Sequence, residues 1–197
     1  MKNTDQKWLP KHNKLLKYVS SERQEKIYRY KFDSDKVNSL YAALLTRLGI
    51  TRILGNNNSE LEFEYQDNHK PKLAAFCHSN AKDIDFSFSH TKGAVLAGIT
   101  TNESIGVDIE EIKDAPFDIM KMVFHPEEIS YVTNQSKETK TKAFFEVWTK
   151  KEAYTKCLGT GLVTNLKALN TLQAPISDNI ETWVDDNYIC SVCTIKS

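Results

Sequence analysis

An α+β fold is predicted by three features of the 197-residue sequence. Helical spacing of apolar residues runs through Val37–Leu48, and strict two-residue alternation runs through 84–89. Helical and alternating stretches then recur, separated by turn signals, on both sides of about residue 102. The length suits one large domain or two small packed halves, and we place the boundary at 102, giving halves 1–102 and 103–197.

The elements follow in order. Ser21-Glu-Arg-Gln24 resembles a capping box opening a basic helix that runs to about Phe32. Asp33 or Ser34 caps the next helix. Val37, Leu40, Tyr41, Leu44, Leu45 and Leu48 form its apolar stripe, and Gly49 is the expected stop. Leu61, Phe63 and Tyr65 alternate with Glu62 and Glu64 as a strand, and Asn68–Pro71 is a turn. Ile84, Phe86 and Phe88 alternate with Asp85, Ser87 and Ser89. Lys92-Gly93 turns into an apolar strand reaching about Thr100, and 101–104 turns into another at Ile105–Ile112. Pro126 suits a first helical position, with Glu127 and Glu128 near the positive end of the helix dipole. A longer helix spans about Ser136 to Leu158 and stops at Gly159; residues 165–197 read as short strands with a turn at 185–187.

Composition excludes several classes. Hydrophobic residues make up 40% and charged residues 26%, which sets aside disorder and low complexity. The longest apolar run, Ala94 to Ile99, is far short of the roughly 20 residues that span a bilayer. The N-terminus is lysine-rich without a hydrophobic stretch, so a soluble cytoplasmic protein is expected. A formal net charge of zero argues against a general nucleic-acid binder. The charge is nevertheless split: residues 1–102 hold 16 Lys+Arg against 11 Asp+Glu, and the remainder 10 against 15. A phosphate-rich ligand on the first half and a metal on the second would account for that split, as would mutual attraction of two faces. Cys190 and Cys193 have CxxC spacing but lie in a β-branched run, where residues three apart point to opposite faces. They are expected to be structural.

Three segments carry chemistry. In Ile105-Gly-Val-Asp-Ile-Glu110, Ile105, Val107 and Ile109 face the core, while Gly106, Asp108 and Glu110 face the other way. Two carboxylates at i and i+2 repel unless a cation or base lies between them, and Gly106 leaves room for a ligand beside them. Hard oxygen donors of this kind suit Mg²⁺, although such a pair alone also describes a solvated face. Trp148, Glu152 and Lys156 recur every four residues along one helix stripe, a pattern that also fits a surface ion pair beside a half-buried Trp. His90 ends the strand Phe86–His90, and the Ser-His-Thr corner it forms can bind phosphate.

Together, Phe86-x-x-Ser-His90, Ile105-Gly-Val-Asp-Ile-Glu110 and Trp148-x-x-Lys-Glu-Ala-x-x-Lys156 with Gly159-x-Gly-Leu162 resemble the signature blocks of 4'-phosphopantetheinyl transferases. Their order and spacing are similar to the Sfp-type, pseudo-dimeric branch, and the resemblance covers most of residues 20–197. It implies two similar α/β halves related by a pseudo-twofold, with the active site between them. It implies transfer of phosphopantetheine from coenzyme A to a serine of an acyl or peptidyl carrier protein. By motif position, Asp108, Glu110 and Glu152 would hold Mg²⁺, Glu152 would also be the general base, and Lys156 would stabilise charge on the pyrophosphate. Arg23, Lys26, Ser39, Lys70, Ser89 and His90 would form the 3'-phosphate pocket, and Glu128 matches a further acidic position near the site. Asn38 stands where the family often has arginine, which removes a cation from the coenzyme side. Thr160–Val163 resembles the carrier-docking region, and Lys150 and Lys151 would add positive charge beside it. A doubled architecture lets a monomer supply a complete site, with no nucleic acid or membrane partner. A non-catalytic coenzyme A-binding module of the same fold is the alternative.

Overall fold

In the computed structural model, which describes residues 7–64, 70–74, 83–159 and 165–196, two long helices each lie against antiparallel strands. The first half holds α1 (Pro10–Leu16), α2 (Ser21–Arg29), α3 (Asp33–Leu54), β1 (Phe63–Glu64), β2 (Lys72–Leu73), β3 (Ile84–Thr91) and β4 (Ala94–Thr101). The second holds β5 (Glu103–Glu111), α4 (Met120–Val123), α5 (Pro126–Thr133), α6 (Lys140–Leu158), β6 (Ile180–Asp185) and β7 (Tyr188–Lys196). β1 pairs with β2, β3 with β4, and β7 sits between β5 and β6, all antiparallel. The α+β class and the two-part plan are those expected. None of the described helices is long and apolar enough to cross a membrane.

Several boundaries move, each for a physical reason. The α2 cap is Ser20, whose Oγ accepts from Arg23 N at 3.3 Å, and the helix ends at Arg29. α3 runs through Gly49 and stops at Gly55, φ 72°. A Cβ on Gly49 would lie 2.5 Å from Ile99 Cδ1, so this glycine marks a close helix–strand approach rather than a helix end. α3 is covered on more than one side: Leu40 packs with Leu16, Val19 and Ile27, whereas Ile50 packs with Leu61, Leu73 and Phe86. Leu48, expected in the stripe, is 47% exposed. α6 begins at Lys140 after a turn in which Ser136 O accepts from Lys140 N. Of the residues expected as a strand from Leu61, Phe63–Glu64 form β1 and Tyr65 lies outside the described residues, while 165–179 includes two 3-10 turns, Leu166–Ala168 and Ser177–Asn179, in place of strands.

The second core gathers Phe124, Val132, Phe144, Phe145, Val147 and Ile189. Cys190 packs with Ala94 and Ile109, but Cys193 packs with Ala153 and Cys157, so the two cysteines lie on opposite faces of β7. Cys77 lies outside the described residues.

The halves meet where the outer edge of β5 rests on the polar face of the β3–β4 hairpin. Asp85 Oδ2 accepts from Ile105 N at 2.7 Å, and Ser87 Oγ accepts from Val107 N at 3.1 Å. Side chains thus satisfy edge amides that would otherwise be buried without partners. On its other face β5 meets α6 at Gly106, where a Cβ would stand 1.9 Å from Ala153 O. The room left by Gly106 is therefore filled by the helix backbone, not by a ligand as expected.

Candidate active site at the seam

The seam sets Asp108 at the junction of β3, β5 and α6. Its side chain is 5% exposed; Oδ1 accepts from Lys156 Nζ at 2.6 Å and from Ser89 Oγ at 2.7 Å. Lys156 Nζ also donates to Ser89 Oγ at 3.2 Å. Oδ2 is buried with no hydrogen-bond partner among the described residues. Glu110, two residues on, accepts from Thr91 Oγ1 at 3.2 Å. Burial pushes its carboxyl above the usual range, and the Asp108 charge adds to the rise. Burial also raises Glu152; Lys156, one turn along α6, opposes that rise and Asp108 reinforces it.

Three carboxylates thus share the field of one ammonium. Among the described residues no group of three or more His, Cys, Asp or Glu side chains is arranged to hold a metal ion. Asp108, Glu110 and Glu152 are coupled electrostatically rather than gathered as ready ligands. The donor set still suits a hard cation: one Asp108 oxygen has no partner among the described residues and burial raises Glu110 and Glu152, so a divalent ion there would offset the like charge.

The basic residues of the first half separate into two groups. Arg23, 7% exposed, lies over the Phe88 ring at 5.1 Å and donates to Ser39 O at 3.5 Å. Ser39 Oγ is buried without a hydrogen-bond partner among the described residues. Burial lowers the His90 pKa, Asp35 opposes that, and Arg23 and Lys156 lower it further, so His90 shares their field. Lys26 is exposed one turn after Arg23. Lys70 belongs to the seam: its ammonium donates to Asp85 Oδ2 and Ile105 O, both at 2.5 Å. Ser89, also expected at the phosphate, makes its contacts with Asp108 and Lys156.

Asn38 does not replace an arginine as a cation; its Nδ2 donates to Thr91 O at 3.0 Å, tying α3 to the end of β3. Lys151, expected to add positive charge toward a partner, is instead 1% exposed and ion-paired with Glu128, itself 0% exposed. Thr160–Val163 lies outside the described residues. A cleft of about 840 Å³ opens elsewhere, between the start of α2 and Phe63, but its Arg47 is engaged by Asn58 and Leu61. Thr91, expected in the phosphate-binding Ser-His-Thr corner, donates instead to Glu110, and Asp85 carried no expected role although Asp85, Ser87, Ser89 and Thr91 alternate along one strand face.

Two family models divide the chain at that seam: 4'-phosphopantetheinyl transferase, N-terminal, over residues 6–101, and the 4'-phosphopantetheinyl transferase superfamily over residues 104–196. The chain belongs to the 4'-phosphopantetheinyl transferase superfamily. This transferase is 28% identical to the 4'-phosphopantetheinyl transferase gsp of Aneurinibacillus migulanus over 197 residues, covering 94% of this chain and 80% of the relative. It is 27% identical to the 4'-phosphopantetheinyl transferase Sfp of Bacillus subtilis strain 168 over 195 residues, covering 92% and 84%. The crystal structure of Thermotoga maritima holo-[acyl-carrier-protein] synthase overlaps 48% of this chain and 63% of that one, at 15% identity and a TM-score of 0.40.

Proposed function

We propose that this transferase moves 4'-phosphopantetheine from coenzyme A to a serine of an acyl or peptidyl carrier protein, releasing adenosine 3',5'-bisphosphate, in the cytoplasm and as a single chain. The observation that carries this reading is the buried Asp108 carboxylate, bonded to Ser89 of one half and Lys156 of the other. In the reaction the serine oxygen bonds to phosphorus as the bond from phosphorus to the departing bisphosphate breaks. A serine hydroxyl is a poor nucleophile at neutral pH, and Glu152, made more basic by burial, accepts its proton. The Lys156 side chain is 30% exposed, so its ammonium can meet charge on the departing bisphosphate. Arg23, Lys26, Ser39 and His90 surround the 3'-phosphate. Asp108, Glu110 and Glu152 would hold Mg²⁺, which when bound neutralises charge on the pyrophosphate oxygens.

The test is incubation with coenzyme A, Mg²⁺ and a carrier protein, read by mass spectrometry, beside Asp108→Asn. Pantetheinylated carrier from the parent alone is expected. Coenzyme A bound without turnover would mean a non-catalytic module, and hydrolysed coenzyme with unmodified carrier would mean a phosphohydrolase.

A further inference from the structure

We propose that Cys157 and Cys193 are a redox pair that hydrogen peroxide closes into a disulfide between α6 and β7, shifting Lys156 and slowing transfer. The fold brings the two together through Gly106. Cys193 of β7 lies opposite Gly106 of β5, at the roughly 4.5–5.5 Å Cα spacing of antiparallel neighbours. Because Gly106 has no side chain, the backbone of α6 rests against it, and a Cβ there would stand 2.4 Å from Cys157 N. Cys157 is thus set beside the strand neighbour of Cys193. The two side chains pack together with Ala153, and their sulfurs share a hydrogen bond. Cys190 packs with Ala94 and Ile109 on the other face of β7, away from both.

The two thiols are not equivalent. The hydrogen bond with Cys193 draws the Cys157 thiol below its usual range; burial opposes this, and the Lys70 ammonium adds to it. The same bond, with burial, raises Cys193. Cys157 is also the less enclosed of the two, at 4% exposed against 0%. Cys157 is therefore the attacking sulfur. Its thiolate bonds to one peroxide oxygen, the O–O bond breaks, and the departing hydroxide takes up the proton that Cys157 shed, leaving a sulfenic acid. The Cys193 sulfur then bonds to the Cys157 sulfur, the S–O bond breaks, and the second water carries away the Cys193 proton. The thiols lose two electrons and two protons, and the peroxide is reduced to two waters. Bonded sulfurs sit closer than hydrogen-bonded ones, and the contact at Gly106 leaves β5 no room to yield. The last turn of α6 is held by fewer intrahelical bonds, and it carries Lys156, whose ammonium lies 2.6 Å from Asp108.

The loss of transfer rests on the function proposed above, whereas the disulfide is read without it. Reduced full-length protein is treated with hydrogen peroxide and its disulfides are mapped by peptide mass spectrometry without reduction, beside Cys157→Ser and Cys193→Ala. We expect one disulfide, Cys157–Cys193, in the parent and none in either variant. Cys193→Ala, lacking the second thiol, should hold Cys157 as a sulfenic acid that dimedone traps. Closing the loop should raise the melting temperature of the parent by about 10 °C. Transfer by the oxidised parent should fall about 10–100-fold, since a displacement of about 1 Å can cost about 10²-fold, and dithiothreitol should restore it. Cys157→Ser should keep its transfer through the same treatment. Both thiols still free after peroxide, a disulfide joining other cysteines, or a cross-linked chain that melts below the reduced one would overturn the pair. If Cys193→Ala does not fold, mapping of the parent decides alone. A cross-linked parent that transfers as fast as the reduced one would overturn the shift of Lys156, as would a loss that Cys157→Ser shares. A reduced parent that transfers nothing defeats the proposed reaction, and the mapping still decides the pair.

Discussion

The Lys151 ammonium lies 2.7 Å from the Glu128 carboxylate, with 1% and 0% of the two side chains exposed. Every remaining capacity of the pair is met. Lys151 donates to Leu166 O and Leu169 O at 2.7 and 2.6 Å, and Glu128 accepts from His125 N, Thr171 N and Thr171 Oγ1. The pair binds α5, α6 and the chain after α6 into one unit.

Breaking this pair from one side leaves a buried charge unmatched. Lys151→Met is expected to lose about 3–5 kcal/mol of stability, read as a fall in the urea midpoint. The double variant Lys151→Met/Glu128→Leu should recover much of the loss, because neither charge then remains. A Lys151→Met midpoint equal to the parent's would show that the pair is not needed.

Gly106→Ala tests the contact between β5 and α6. The added Cβ would meet backbone atoms, Ala153 O at 1.9 Å and Cys157 N at 2.4 Å, which cannot rotate away. Overpacking of this kind typically costs about 1–3 kcal/mol, and more where backbone must move. Chemical denaturation should show a loss at the upper end or beyond. Melting like that of the parent would mean that α6 shifts freely.

The carboxylates at the site predict a pH dependence. Burial raises both Glu110 and Glu152 above 4.5, so the folded state holds these protons more tightly than the unfolded chain. Their contribution to stability is full below about 4.5 and is lost as pH climbs through the raised values. In chelator, the melting advantage of Glu152→Gln over the parent should therefore be small at acid pH and grow toward neutrality. A difference that stays constant with pH would remove Glu152 from this account.

The two groups of basic residues should behave differently toward the coenzyme. His90→Ala should weaken binding of coenzyme A more than binding of dephospho-coenzyme A, by about 1.5–3 kcal/mol for a lost charge-assisted hydrogen bond. Lys70→Met, removing a seam contact, should lower stability and shift both coenzymes alike. Calorimetry with each ligand decides it; selective loss for Lys70→Met would return that lysine to the phosphate.

Local chemistry made much of the fold readable. The alternation of Ile84, Phe86 and Phe88, the Lys92-Gly93 turn, Pro126 at a helix start and Gly159 at a helix end all express rules that act within a few residues. What stayed hidden depends on partners far away in sequence. Gly49 looks like a helix stop until Ile99 is seen against it. Lys151 looks like a solvated lysine until Glu128 closes over it. At the site, the DxE pair and the Trp148–Glu152–Lys156 stripe stand out as residue types. Their coupling through Ser89 and Thr91 needs the strand-to-strand register, which no single segment contains.

Asn102, at φ 61°, is the only residue between β4 and β5, and its N–H donates to Asp83 O at 2.8 Å. So short a tether keeps the hydroxyls of one half at very high effective concentration beside the carboxylates of the other. Assembly of Asp108, Ser89 and Lys156 is therefore independent of how many molecules are present. A solution diluted a thousandfold keeps the same arrangement in every chain, which an arrangement divided between separate subunits would lose.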